Sequence, residues 1–136
     1  EESGDLWAAL RDATPFAERP DLTIWKLSVP HAAGPAVLDR VKAEWPRAKA
    51  WADWGGGLIW LGLQGSDAKG ADAQAAAVRA AIGPTGGHAT LVRAPDSVRA
   101  AIPVFHPQPP ALAALTARIR AQFDPAGILN PGRMTL

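Results

Sequence analysis

The residues most able to do chemistry crowd the end of the chain: Phe123-Asp124-Pro125-Ala126-Gly127-Ile128-Leu129-Asn130-Pro131-Gly132-Arg133-Met134. Two prolines fix φ and two glycines open backbone regions closed to other residues, so this stretch specifies a conformation rather than a disordered end. Asn130, preceding Pro131, is expected to be extended. Gly132 permits close approach of the backbone to a neighbour. Arg133 carries a planar fork of donors that suits a phosphate or a carboxylate. Turns at Asp124-Pro125 and at Asn130-Pro131-Gly132 are expected to carry Arg133 off the domain. A clasp that packs back onto its own domain is the competing reading of the same residues.

Elsewhere the chemistry is sparse. His31, His88 and His106 lie far apart with no metal-type neighbour at i+3 or i+4, so no self-contained metal site is expected. The absence of cysteine removes disulfides, zinc thiolates and thiol nucleophiles. Ser3, Ser28, Ser66 and Ser97 sit in no nucleophile elbow. Gly55-Gly56-Gly57 joins two strand-like segments rather than a strand to a helix, and no Lys-Ser/Thr follows, so it reads as a hairpin and not a phosphate cradle. Asp39, Glu44, Asp67 and Asp72 are scattered solvated charges. Fourteen basic against thirteen acidic residues leave a net charge of +1. That balance argues against a nucleic-acid partner. No apolar run reaches the roughly 20 residues of a membrane span. The expected address is the cytoplasm, or the inner face of the plasma membrane. Because the chain opens on Glu1-Glu2-Ser3-Gly4, it is expected to be a piece of something longer.

The elements that must position these residues follow from periodicity. Asp5–Ala13 has helical spacing and is expected to end before Thr14-Pro15. Asp21–Val29 alternates like a strand, setting Trp25, Leu27 and Val29 against Lys26 and Ser28. Gly34-Pro35 opens a helix whose stripe is Val37, Leu38, Val41 and Trp45. Ala48–Trp54 and Leu58–Leu63 read as a hairpin pair, Ala71–Ile82 as a helix with Ala75, Val78, Ala81 and Ile82 inward, and His88–Arg93 as a fourth strand. A short helix is expected over Pro95–Ala101 and a long one over Pro109–Phe123, with Leu112, Leu115, Ile119 and Phe123 in register. The order is the α+β, ferredoxin-like βαββαβ arrangement, an antiparallel sheet with helices packed on it and extra helices at both ends. One domain over residues 1–136 is expected, with 124–136 as its tail. Leu58, Ile59, Trp60, Leu61 and Leu63 are apolar on both faces of one strand. The second sheet face must therefore lie under a terminal helix or cover something outside this chain.

F-D-P-A-G-I-L-N-P-G-R resembles the terminal signature of the FAD-linked oxidases of the vanillyl-alcohol-oxidase/p-cresol-methylhydroxylase superfamily, whose usual form is F-D-P-x-x-x-x-N-P-G-[KR]. L-W-A-A-L-R-D-A, T-I-W-K-L-S-V-P, Trp54–Leu63 and V-F-H-P-Q-P-P-A-L are similar to one branch, the flavin-binding subunits of bacterial glycolate oxidases. The resemblance runs from about Leu6 to the end. It implies a C-terminal substrate or cap domain of a subunit that oxidises glycolate or a similar small 2-hydroxy acid to the 2-oxo acid. It further implies that Asn130, Pro131, Gly132 and Arg133 return to an N-terminal FAD-binding domain and line the cofactor site. A catalytic flavin subunit and an iron-sulfur subunit would be the other partners. The H-x-G-D-G-N-x-H-like metal and substrate motif of catalytic relatives does not occur here, which favours electron relay or a subsidiary flavin role and leaves the catalytic residues unassigned. The alternative is a ferredoxin-like small-ligand or protein-interaction module without catalysis, which does not explain the tail. If the cofactor reading is right, the 136-residue chain should purify colourless and inactive. A yellow protein holding stoichiometric FAD at micromolar affinity would contradict it.

Overall fold

The computed structural model of the chain describes residues 2–65, 67–84 and 86–131. In chain order the elements are α1 (Glu2–Arg11), α2 (Thr14–Ala17), β1 (Leu22–Ser28), α3 (Gly34–Glu44), β2 (Lys49–Asp53), β3 (Leu58–Gln64), α4 (Ala68–Ile82), β4 (His88–Arg93), α5 (Asp96–Ala101) and α6 (Pro110–Phe123). The four strands pair antiparallel in the order β2-β3-β1-β4. This is the expected βαββαβ topology, because α3 and α4 form the two crossovers.

Odd-numbered residues of β1 and β3 face the crossover helices. Trp25, Leu27, Ile59 and Leu61 are fully buried there against Val37 and Val41 of α3 and Val78 of α4. Arg40 of α3 ties the two helices together, its Nε donating to Ala81 O at 2.7 Å and its Nη2 to Ile82 O at 3.0 Å. These carbonyls end α4 and would otherwise lack partners.

The hairpin between β2 and β3 starts one residue earlier than its glycines suggest. Trp54, Gly55 and Gly56 take φ of 50°, 61° and 93°, whereas Gly57 is ordinary at −79°. The Asp53 carboxylate accepts the Trp54 N–H at 2.7 Å and starts the turn. A tryptophan thus occupies a left-handed position that glycine would fill more cheaply.

The other sheet face has its own cover, which periodicity did not reveal. Thr14-Pro15 does not simply end the first helix; it begins α2, a single turn that drops Phe16 onto the sheet. Phe16 packs with Leu22 and Ile24 and stacks on Trp51 with ring centroids 4.3 Å apart. Gly62 makes this possible, since a Cβ there would lie 2.6 Å from the Phe16 ring. Hence the first half of β1 is buried on both faces. A register shift lets Arg93 hold the cover. Trp25 pairs with Leu91 but Ile24 pairs with Arg93, so Val92 is the extra, bulged residue. The bulge turns Arg93 toward α2, where it donates to Phe16 O at 2.9 Å and to Arg19 O at 2.5 Å.

Two substitutions test this clamp. Arg93→Met keeps the aliphatic stem but removes charge-assisted bonds, and should cost about 1.5–3 kcal/mol in urea unfolding. Stability within about 0.5 kcal/mol of wild type would refute the clamp. Gly62→Ala forces Phe16 off the sheet. It should cost roughly 1–3 kcal/mol and alter the near-UV circular dichroism of the Phe16–Trp51 stack. Gly4→Ala, in open space on α1, should instead be neutral or slightly stabilising.

Candidate functional site

Beyond Phe16, the helix-free sheet face continues as a row across the strands. Trp51 pairs with Trp60, Trp60 with Lys26, and Lys26 with Thr90. Trp51 and Trp60 are half-buried while Lys26 is exposed. The face therefore offers two indoles beside one ammonium on the inner strand β1. Trp25 and Trp54 are not part of it. Trp25 is buried on the helix side, and Trp54 leaves the sheet at the turn, 71% exposed.

The second candidate surface is α6 with the tail that follows. The expected register of Leu112, Leu115, Ile119 and Phe123 holds, but the stripe is not packed into the domain: exposures are 48%, 49%, 52% and 83%. Thr116, partly buried on α6, donates its Oγ1 hydrogen to Gln108 Oε1 at 3.1 Å and fixes the start of the helix. After α6 the chain folds on itself. One Asp124 carboxylate accepts the N–H of Ile128 at 3.0 Å and of Leu129 at 2.8 Å. Gly127, at φ 64°, donates to Asp124 O. This Asp-Pro-Ala-Gly turn holds Ile128 and Leu129 exposed at the surface.

Of the expected site residues, Asn130 and Pro131 are described and exposed. Asn130 is not extended as its following proline suggested. Its φ is 48°, a left-handed conformation that asparagine tolerates better than most residues. Gly132 and Arg133 lie outside the described residues.

Among the described residues no group of three or more His, Asp or Glu side chains could hold a metal ion. No described helix is long and apolar enough to cross a membrane. A cleft of about 520 Å³ at the end of the sheet is lined by Trp45, Pro46, Arg47, Lys49 and Leu63 among others. Arg19 on its wall is already bound to Asp21 at 2.6 Å.

The described residues do not form a cradle for a dinucleotide diphosphate. The Gly55–Gly57 turn joins two strands and lies against the His31 ring. Gly65 precedes α4 and Gly70 lies in its first turn, where the Asp67 carboxylate already accepts the Gly70 N–H at 2.9 Å. An acidic cap occupies the position where a phosphate would bind. Among the described residues, neither glycine-containing connection leaves a free phosphate cradle.

Comparison with known proteins gives two similarities. Residues 107–134 match the family model described as FAD linked oxidases, C-terminal domain. That span covers the His-free approach to α6, the exposed helix and the turn built on Asp124. Over 135 residues the chain is 30% identical to the glycolate oxidase subunit GlcE of Escherichia coli (strain K12), a match that covers 98% of this chain and 32% of the relative. The chain thus spans about a third of that relative's length. No solved structure matches. The chain is thus an α+β domain similar, over residues 107–134, to the C-terminal domain of FAD linked oxidases and, along nearly its whole length, to part of a glycolate oxidase subunit.

Proposed function

We propose that this chain is the C-terminal cap domain of a flavin-dependent oxidoreductase subunit that oxidises glycolate, or a similar small 2-hydroxy acid, to the 2-oxo acid. The observation that carries the reading is the similarity to a glycolate oxidase subunit along nearly the whole chain, with the family match centred on α6 and the tail. FAD belongs to the complete subunit and is held mainly by an N-terminal flavin domain. The 136-residue chain alone is inactive. A catalytic flavin subunit and an iron-sulfur subunit complete the assembly.

In this reading the exposed stripe of α6 is the surface that meets the flavin domain. An amphipathic helix with its apolar side in water is unfavourable by roughly 25 cal/mol for every Å² left uncovered. The tail then returns along the same surface, and Asn130, Pro131, Gly132 and Arg133 border the cofactor, with the guanidinium of Arg133 binding an anionic group.

The test is made on the complete subunit and on the 136-residue chain side by side. In the complete subunit, Arg133→Ala should weaken flavin or substrate binding by about 10- to 150-fold, equivalent to about 1.5–3 kcal/mol. Arg133→Lys should recover only part of the loss, because a point charge cannot replace a fork. Leu115→Asp with Ile119→Asp should strip flavin from the complete subunit and leave the melting temperature of the 136-residue chain nearly unchanged. The clasp reading gives the opposite pattern, with a destabilised chain and unaltered flavin affinity. A complete subunit that carries no flavin and oxidises no 2-hydroxy acid would overturn the proposal.

A further inference from the structure

The outer edge of β4 is closed by an unusual rung. β4 lies at the end of the sheet, so its outward N–H groups need partners from elsewhere. The segment after α5 supplies them in the manner of a fifth strand. Leu91 N–H donates to Val104 O at 2.8 Å. Two residues along, where a second carbonyl would continue the ladder, Ala89 N–H donates to Nδ1 of His106 at 3.2 Å. An imidazole nitrogen stands in for a backbone acceptor.

That bond fixes the protonation of the ring. A backbone N–H can only donate, so Nδ1 must be bare and the proton of neutral His106 sits on Nε2. The charged groups facing the ring all oppose a second proton. Arg79, from α4, reaches the same segment by donating to Pro103 O at 2.5 Å and more loosely to Phe105 O at 3.4 Å. His88, at the start of β4, faces it from the sheet. The nearest acid on α4, Asp72, acts on Arg79 rather than on the ring. Protonated His106 would set two donors against each other beside a guanidinium.

We propose that His106 is a pH-operated clasp on the edge of the sheet, closed while the ring is neutral and opened by protonation, and that opening frees the root of α6. The mechanical link is short. Pro107-Gln108-Pro109 follows His106 directly and leads into α6. The device belongs to the chain itself and stands independently of the flavin reading, although release of α6 would move the surface which that reading assigns to the flavin domain.

The sign of the pH dependence follows from the surroundings. Burial first, then Arg79 and His88, hold His106 below the ordinary value of 6.5. The folded chain therefore binds this proton less readily than the unfolded one. The stabilisation is complete above about pH 6.5 and is lost as pH falls from there toward the lowered folded value.

Amide hydrogen exchange on the 136-residue chain reads the clasp directly, with rates corrected for intrinsic exchange. Between about pH 7.5 and pH 5.5, protection at Ala89 should fall by up to about tenfold while protection at Ile59 in the core holds. His106→Gln offers a carbonyl acceptor that cannot titrate and should flatten the Ala89 profile. His88→Gln should keep the Ala89 profile pH-dependent, with its midpoint moved only upward. An Ala89 profile that is pH-independent, or the same in His106→Gln as in wild type, overturns the proposal. Should His106→Gln fail to fold, ring ¹⁵N shifts of the wild-type chain decide the matter. Nδ1 bare at neutral pH with titration below 6.5 supports the clasp, and Nδ1 protonated, or titration at or above that value, refutes it.

Discussion

A four-stranded sheet has two faces, and the crossover helices of this chain cover only one of them. That inequality governs the rest of the structure. On the covered side α3 and α4 complete a dry core around Trp25, Leu27, Ile59 and Leu61. The opposite side is handled piecemeal, by one ring from a single helical turn lying over a glycine. The turn is too short to stay by its own propensity. It is held because a bulge in β4 rotates Arg93 toward it. Were β4 to continue past Leu91 in regular register, Val92 would pair with Ile24 and Arg93 would share a face with Leu91, pointing into the helix-side core, where an unpaired guanidinium is prohibitively costly.

The same inequality explains why the last helix stands apart. The apolar surface on the helix side is already taken, and Phe16 caps only one end of the other face. Neither face receives Leu112, Leu115, Ile119 and Phe123, and α6 keeps its stripe in solvent. Residues 124–129 beyond it nevertheless form a local turn, since the Asp124 carboxylate accepts the Ile128 and Leu129 amides and Gly127 takes a left-handed φ without help from the domain. Order and packing are separate properties here. A segment with local hydrogen bonds and exposed apolar side chains is suited to meet a second surface, and the family match falls on that segment.

Polar groups hold the elements in place at three seams. Arg40 joins α3 to the end of α4, Arg93 joins β4 to α2, and Arg79 joins α4 to the edge segment beside His106. Each uses a guanidinium to satisfy carbonyls at the end of an element, where no ladder can reach them. Arg79 also lies over the Trp25 ring, 5.8 Å from its centroid, so the edge seam rests directly on the core.

The order of strands and helices, the inward residues of α4 and the register of α6 were legible in the sequence, because periods of 2.0 and 3.6 residues reflect backbone geometry that holds before any packing occurs. The tail motif was legible for a similar reason. Proline fixes its own φ, glycine admits a left-handed φ closed to most residues, and Asp-Pro-x-Gly closes a turn within itself. What the sequence did not disclose depends on neighbours distant along the chain. Phe16 looked like the residue after a helix stop, and its place on Trp51 exists only once β2 and β3 have paired. The outward turn of Arg93 depends on a register shift that no alternation reveals, and Asn130 adopts a left-handed backbone against the local bias of Pro131. His106 resembled any solitary histidine. Its role as a ladder acceptor arises only because residues 103–106 run along the unpaired edge of β4, and only the tertiary structure brings a side-chain nitrogen to a backbone N–H seventeen residues away.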